Sequence, residues 1–390
     1  MSRLGGVSFR ILHPDPFDLS RSSSFPGEIC LVVEFSSRSS AVQLETLLTS
    51  LPHARHVRLE KSSHFNVLWV MSLSQALFLP KVLKPFPELF LQMSAGLKGY
   101  SRESFWDLKG RGGRRFRWGN KTQVMGVLNV TPDSFSDGGQ YLNPSIALDR
   151  ALQIQEEGAD WVDVGGESTR PGAKAISADE EKKRILPVIK ACAKALQIPV
   201  SVDTYKSEVA KAAVGEGAQM VNDIGALGLD AQMGKTLARL KVPVVLMHMR
   251  GKPRTMQKKP LYKDLMGELI SFFRERLDFA GKCGISEDRL LVDPGFGFGK
   301  TPWHNVEMTR RLWELKVLGK PILMGSSRKS TLGFLLGGLP PEERMEATHA
   351  AITASVLKGA DFVRVHDVKS AVRVVKIADA IRYDRGLTKP

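Results

Sequence analysis

The side chains able to do chemistry recur at the ends of short apolar runs. The first run, Gln123–Val130, leads into Asn129-Val-Thr-Pro-Asp133-Ser-Phe135-Ser-Asp137-Gly-Gly. Trp161–Gly165 leads into Gly166-Glu-Ser-Thr169-Arg170-Pro171. Pro199–Asp203 and Met220–Ile224 close on Asp203 and on Asn222-Asp223, and Pro243–Met247 is followed by His248-Met249-Arg250. Leu290–Asp293 opens Asp293-Pro-Gly-Phe-Gly-Phe298-Gly-Lys, and Pro321–Met324 opens Gly325-Ser-Ser-Arg328-Lys329-Ser330. Phe362–Val365 carries Arg364-Val-His366-Asp367. Any one of these residues has a plain structural reading: a lone Asp after a strand is commonly a helix cap, and a Gly-rich segment is commonly a turn. Packing gives no comparable reason for polar groups at eight successive run ends.

Two chemistries fit the set. Asp203, Asn222 and Asp293 suit a heterocycle with a row of N–H donors, such as a 2-amino-4-oxo pteridine or a guanine. A carboxylate accepts two parallel N–H bonds, and an amide both donates and accepts. Arg364 and His366, brought beside Asn129, suit a pyrophosphate with Mg²⁺, a hard ion that keeps waters and takes few protein ligands. No Ser–His–Asp or paired-carboxylate pattern is visible.

The elements that must position these residues follow from the runs themselves. Most are continuous rather than alternating, as expected of parallel strands covered on both faces. The intervening stretches, such as Ala178–Ile189 and Arg344–Leu357, carry apolar residues at helical spacing. Eight strand–helix units over ~260 residues predict an α/β fold, a (β/α)8 TIM barrel spanning 119–390, with its site at the carboxyl ends of the strands. A doubly wound sheet is the alternative, and the first strand–helix turn lacks its GxGxxG fingerprint. Residues 1–118 fall outside the repeat and read as a small N-terminal α+β segment. Strands are expected at Glu28–Phe35 and Phe65–Met71, helices at Ala41–Leu51 and Leu73–Leu83, and the Ser/Pro-rich first 27 residues are expected to be loose.

Bulk properties bound the rest. The 43% hydrophobic and 25% charged fractions are globular values. Three cysteines without CxxC pairing argue against a disulfide framework or a zinc site and for a reducing compartment. The start lacks a signal-like apolar core, and Val67–Leu83 is too interrupted to span a bilayer, so a cytoplasmic, non-membrane protein is expected. The net charge of +15 is spread along the chain, with 16 Lys/Arg against 9 Asp/Glu in residues 1–120 and 40 against 32 in residues 121–390. The one dense basic cluster, Lys109–Arg117, reads as a solvated linker, with an RNA or phosphate contact as the alternative; no nucleic-acid partner is expected.

The motifs in their order resemble the dihydropteroate synthase family. Met125-Gly-Val-Leu-Asn-Val-Thr-Pro-Asp-Ser-Phe-Ser-Asp-Gly-Gly139 and Asp163-Val-Gly-Gly-Glu-Ser-Thr-Arg-Pro-Gly172 are similar to its two signatures, and the match runs over about 119–385. The resemblance implies a transferase of folate biosynthesis and a sulfonamide target, which joins a pterin pyrophosphate to p-aminobenzoate by a pyrophosphate-first substitution. By resemblance Asp203, Asn222, Asp293, Lys329 and Arg364 hold the pterin, while Asn129, Arg364 and His366 hold pyrophosphate, with Mg²⁺ on Asn129. Phe135, Thr169, Pro171, Phe298 and Ser330 border the p-aminobenzoate pocket. Asp137, Thr169, Arg170 and Lys329 act in catalysis, those on the first two loops closing over the site. A homodimer is implied. The rivals are a methyltetrahydrofolate-type methyltransferase on the same barrel and a catalytically silent pterin-binding paralogue. The long N-terminal segment departs from the family pattern.

Overall fold

The structure is a computed structural model. It describes residues 7–12, 28–35, 41–44, 48, 55–61, 65–72, 104–108, 115–119, 121–131, 144–168, 175–251, 256–257 and 260–383. The chain forms two compact units. One gathers residues 1–102 with Trp313–Gly319, and the other residues 103–312 with 320–390.

In the first unit β1 (Val7–Leu12), β2 (Glu28–Phe35), β3 (Arg55–Lys61) and β4 (Phe65–Ser72) make an antiparallel sheet in the order β1-β2-β4-β3. The two expected strands form as β2 and β4, and Ala41–Leu44 is helical. Leu73–Leu83 lies outside the described residues. Within the first 27 residues, expected to be loose, Val7-Ser-Phe-Arg-Ile-Leu12 is a strand that pairs along β2 from Val7↔Phe35 to Leu12↔Cys30, and the others lie outside the described residues.

The second unit is the barrel. Its strands are β7 (Gln123–Asn129), β8 (Trp161–Gly165), β9 (Val200–Asp203), β10 (Met220–Asp223), β11 (Val244–Met247), β12 (Leu290–Asp293), β13 (Leu323–Met324) and β14 (Phe362–Val365). They are hydrogen-bonded in the order β12-β11-β10-β9-β8-β7-β14-β13, all parallel. A parallel bridge, Val292↔Ile322, joins the two ends. Each apolar run therefore becomes a strand, with bounds within two residues. Nine helices follow the strands among the described residues: α1 (Pro144–Glu156), α2 (Ala178–Ala195), α3 (Ser207–Gly215), α4 (Met233–Leu240), α5 (Leu265–Lys282), α6 (Pro302–Arg310), α7 (Ser330–Leu335), α8 (Met345–Leu357) and α9 (Val368–Tyr383). Local chemistry starts several of them. The Ser177 hydroxyl accepts from Glu180 N–H at 3.1 Å ahead of α2, and Thr301 and His304 make a capping box with Pro302 ahead of α6. Helices sit close against the strands: a Cβ on Gly126 would lie 2.5 Å from Ile154 Cγ2.

A hairpin of β5 (Ser104–Asp107) and β6 (Arg115–Trp118) belongs to this unit. Trp106, Leu108 and Phe116 pack against Met125, Trp161, Met220, Val245, Leu291, Leu323 and Phe362, residues near the amino ends of the strands, so they plug that end of the barrel. Trp106 Nε1 also donates to Asp288 O at 2.7 Å. A division at 118 separates the hairpin from the barrel; the compact unit starts at Glu103. The hairpin escapes the βα period because it closes the barrel's floor instead of adding a layer. At the opposite, carboxyl end of the strands stand the residues singled out by their chemistry.

Candidate active site

The strands aim their last residues into one cleft of about 460 Å³, part of it open to solvent. Asp203, Asn222, Asp293, Phe298, Lys329, Arg364 and His366 line it, as expected, together with Ile224, Met247, Phe296, Gly325 and Ser327. Ile224, Met247 and Phe298 form an apolar cluster on one side, a wall suited to the face of a flat ring. The acceptors Asp203, Asn222 and Asp293 supply polarity from three neighbouring stretches of the strand order.

Arg364 organises the interior. Its Nε donates to Asp163 Oδ2 at 2.7 Å and its second terminal nitrogen to Asp203 Oδ2 at 2.8 Å. Asn222 Nδ2 adds a 3.3 Å bond to the same Asp163 oxygen. Asp163 Oδ1, Asn222 Oδ1 and Ser201 Oγ are buried without a partner, so the barrel interior holds unused hydrogen-bonding capacity. Burial lifts the Asp203 carboxyl well above its usual range, although Arg364 opposes the shift. Burial raises Asp293 to about 6, opposed by the Gly295 N–H at 2.7 Å and by Lys329, Lys300 and Arg364. His366 is pushed down to about 3 by burial and by the neighbouring Arg364, Arg328 and Lys329. The imidazole is therefore neutral near pH 7, in contact with Ser327 Oγ at 3.1 Å, and positive charge in the mouth comes from Arg364 and Lys329. Lys329 Nζ stands 4.3 Å from the centre of the Phe298 ring, a cation–π distance. The preceding Arg328 adopts φ 57°, and its Nε donates to Asp367 Oδ2 at 2.8 Å, which ties the loop after β13 to the one after β14.

Asn129, at the end of β7, is half-buried. Its Oδ1 lies 3.5 Å from where a Cβ on Gly165 would stand, and Asp203 Oδ2 lies 3.8 Å from the same point, so Asn129 faces the rim on the Asp203 side. Among the described residues no group of three His, Cys, Asp or Glu side chains could hold a metal. One neutral amide oxygen at the rim fits Mg²⁺, which takes few protein ligands and the rest from phosphate and water.

Ser330 is exposed and opens α7, and it does not line the cleft. Phe135, Asp137, Thr169, Arg170 and Pro171 lie outside the described residues. The stem of the second loop is described: Glu167 accepts from Lys206 Nζ and from the Tyr205 hydroxyl at 3.1 Å, and Lys206 also reaches Glu181 Oε2 at 2.5 Å. Sequence reasoning gave no role to Asp163, Ser327 or Lys300. All three sit inside motifs read from the sequence, and the signal missed was a charged or hydroxyl residue within a strand or turn otherwise built of apolar and glycine residues.

A closed parallel barrel whose mouth gathers the acceptors Asp203, Asn222 and Asp293 with the cations Arg364 and Lys329 suits a flat, N–H-rich ring attached to an anion. A model of the pterin binding enzyme family matches residues 125–366. The dihydropteroate synthase of Synechocystis sp. is 45% identical over 266 residues, covering 68% of this chain and 92% of the relative. A crystal structure of the Yersinia pestis dihydropteroate synthase with a sulfonamide drug superposes with a TM-score of 0.67 at 42% identity, covering 71% of this chain and 99% of that one. The Xanthomonas albilineans dihydropteroate synthase with 4-aminobenzoic acid gives 0.67 at 43% identity, covering 72% and 99%. This chain belongs to the dihydropteroate synthase family of pterin-binding enzymes.

Proposed function

We propose that the chain condenses 6-hydroxymethyl-7,8-dihydropterin pyrophosphate with p-aminobenzoate, giving 7,8-dihydropteroate and pyrophosphate in folate biosynthesis. The observation that carries this reading is the one cleft that gathers Asp203, Asn222 and Asp293 with Arg364, Lys329 and His366. The carboxylates and the amide accept and donate along the pterin edge while Ile224, Met247 and Phe298 cover its face. Lys329 holds the pterin, while Arg364 and the neutral His366 bind the departing anion, the group on which charge develops as the C–O bond breaks. Asn129 would hold Mg²⁺, which when bound supplies charge neutralisation to the pyrophosphate. Phe298 borders the p-aminobenzoate pocket, and Phe135, Asp137, Thr169, Arg170 and Pro171 complete and close the site. The arylamine nitrogen attacks the pterin methylene carbon, forming the C–N bond, and loses its proton as the product forms. No strong base is required of the protein, so positioning and exclusion of water are its contributions. Sulfonamides, shaped like p-aminobenzoate, compete for the second pocket.

A second copy of this chain is the expected partner. Trp303 and Val306 on α6, Phe334 and Leu335 on α7, Leu336 and Met345 are exposed, and the rings of Trp303 and Phe334 meet edge to face at 6.4 Å. Exposed apolar side chains with Trp303 and Phe334 in contact suit a self-complementary contact. Among the described residues no helix is long and apolar enough to cross a membrane, which is compatible with a cytoplasmic enzyme. The test is direct: incubate the protein with the pterin pyrophosphate, p-aminobenzoate and Mg²⁺ and follow dihydropteroate by chromatography. Formation that depends on both substrates is expected; its absence with folded protein overturns the reading.

A further inference from the structure

One buried charge has no part in the mechanism above. Lys300 follows the Asp293-Pro-Gly-Phe-Gly-Phe-Gly segment after β12 and is 2% exposed. Its Nζ lies 2.9 Å from His248 Nδ1, 3.1 Å from Gly295 O and 3.2 Å from Phe298 O. The turn it grips is the one that shapes the cleft. Gly295 N–H bonds Asp293 Oδ1 at 2.7 Å, Phe298 N–H bonds Gly295 O at 3.0 Å, and His248 N–H bonds Asp293 O at 2.8 Å. Gly295 has φ +72°, and a Cβ there would fall 1.9 Å from His248 O, so the turn is packed directly onto the residue that follows β11. Lys300 thus touches both ends of a segment whose Asp293 and Phe298 line the cleft.

We propose that Lys300 is a positioning residue for pterin recognition, whose buried ammonium pins the 295–298 turn and keeps the Asp293 carboxyl ionised. The inference rests on Asp293 meeting the pterin, as proposed above.

A long, flexible lysine buried beneath a glycine-rich turn loses its hydration and its rotamer freedom. Three acceptors around one nitrogen compensate the first loss. A neutral amine could instead accept a hydrogen bond from His248 Nδ1–H and donate to the two carbonyls. Asp293 favours the charged form, which prevails below about pH 7. Burial lowers Lys300 to about 7 and Asp293 acts in the opposite direction, while Lys300 is among the cations that oppose the rise of Asp293. Lys300 is faced by His248 beyond β11 and His304 on α6 as well as by Asp293. Asp293 is faced by Lys300, by Lys329 after β13 and by Arg364 on β14. His248, pushed down to about 2 by burial and Lys300, stays neutral. Of these groups Lys300 alone also holds the turn that places the Gly295 N–H on Asp293.

The test is Lys300→Met, with Lys300→Gln as a second neutral variant, titrated with 6-hydroxymethylpterin by calorimetry between pH 5 and 9. In the wild type, affinity is flat at high pH and falls about tenfold per unit below the inflection set by Asp293. Without the ammonium the inflection moves up by about one unit, and affinity falls about twofold near pH 7 and about tenfold near pH 5. Weaker binding with an unmoved inflection overturns the electrostatic role, and unchanged affinity overturns the proposal entirely. Should neither variant fold, the Lys300 ammonium is followed by nitrogen NMR in the wild type and in Asp293→Asn. Its titration is expected to shift to lower pH in the variant, and an identical titration overturns the proposal. Asp293→Asn also separates the two readings: if it binds the pterin as tightly as the wild type, with the same inflection, the pterin site has been misplaced and Lys300 is not at fault.

Discussion

Replacing Arg364 by Met removes a cation from a region that holds two carboxylates. Asp163 has no exposed surface, and its Oδ2 loses a 2.7 Å charged bond, retaining only Asn222 Nδ2 at 3.3 Å, while its Oδ1 had no partner to begin with. Asp203 loses a 2.8 Å bond but stands nearer the mouth. Removing one partner of a buried pair costs about 3–5 kcal/mol, because the remaining charge is left in apolar surroundings. At ~2–4 °C per kcal/mol for a barrel of this size, the melting midpoint should fall by roughly 6–20 °C. Asp163→Asn alone leaves Arg364 paired with Asp203 and should cost ~1–3 kcal/mol. The double variant places no carboxylate opposite the missing guanidinium at 163, so its loss should undercut the sum of the singles by about 2 kcal/mol, a coupling within the range seen for contacting residues. Urea denaturation of the four proteins, read by circular dichroism and by pterin binding, measures the cycle. The double variant should recover stability yet stay inactive, since the mouth still lacks its guanidinium. Additivity within ~0.5 kcal/mol would show that the Asp163–Arg364 contact does not organise the interior and would refute the reasoning.

Asp293→Asn should weaken pterin binding by ~1.5–3 kcal/mol, the value of a hydrogen bond to a charged group, with the fold retained; calorimetry that finds equal affinity removes Asp293 from the site. The wild type should bind pterin progressively less well as pH falls through about 6, because the accepting form of Asp293 is the carboxylate and burial has raised its proton affinity. Affinity that improves on acidification contradicts that sign. Trp106→Ala should destabilise the barrel by ~3–5 kcal/mol through the void left among Trp161, Phe116 and Phe362. A chain beginning at Glu103 should keep turnover, whereas one beginning at Gly119 lacks the floor and should unfold earlier in urea. Equal midpoints would show the hairpin to be dispensable.

The eight strands were legible because a strand buried on both faces must be a continuous apolar run, a property written locally in the sequence. The polar residues at the run ends were legible for the same reason, since a strand that ends in Asp203, Asn222 or Asp293 spends no packing on them. The hairpin at 104–118 carries no βα period, and only the tertiary structure shows it closing the floor. Ser330 and Lys329 are adjacent in sequence, yet one is exposed on α7 and the other stands over Phe298; α7 begins between their side-chain directions. Arg364 and Asp163 are separated by 201 positions, and nothing local pairs them. They meet because β14 lies beside β7 and β7 beside β8, which brings both side chains into the barrel interior. Whether His366 is a cation, whether Lys300 is charged and how readily Asp293 takes a proton were likewise decided by the fold. The sequence supplies the titratable groups, but proton affinity depends on lost hydration and on which charges stand within a few ångströms, and those distances exist only once the barrel has closed.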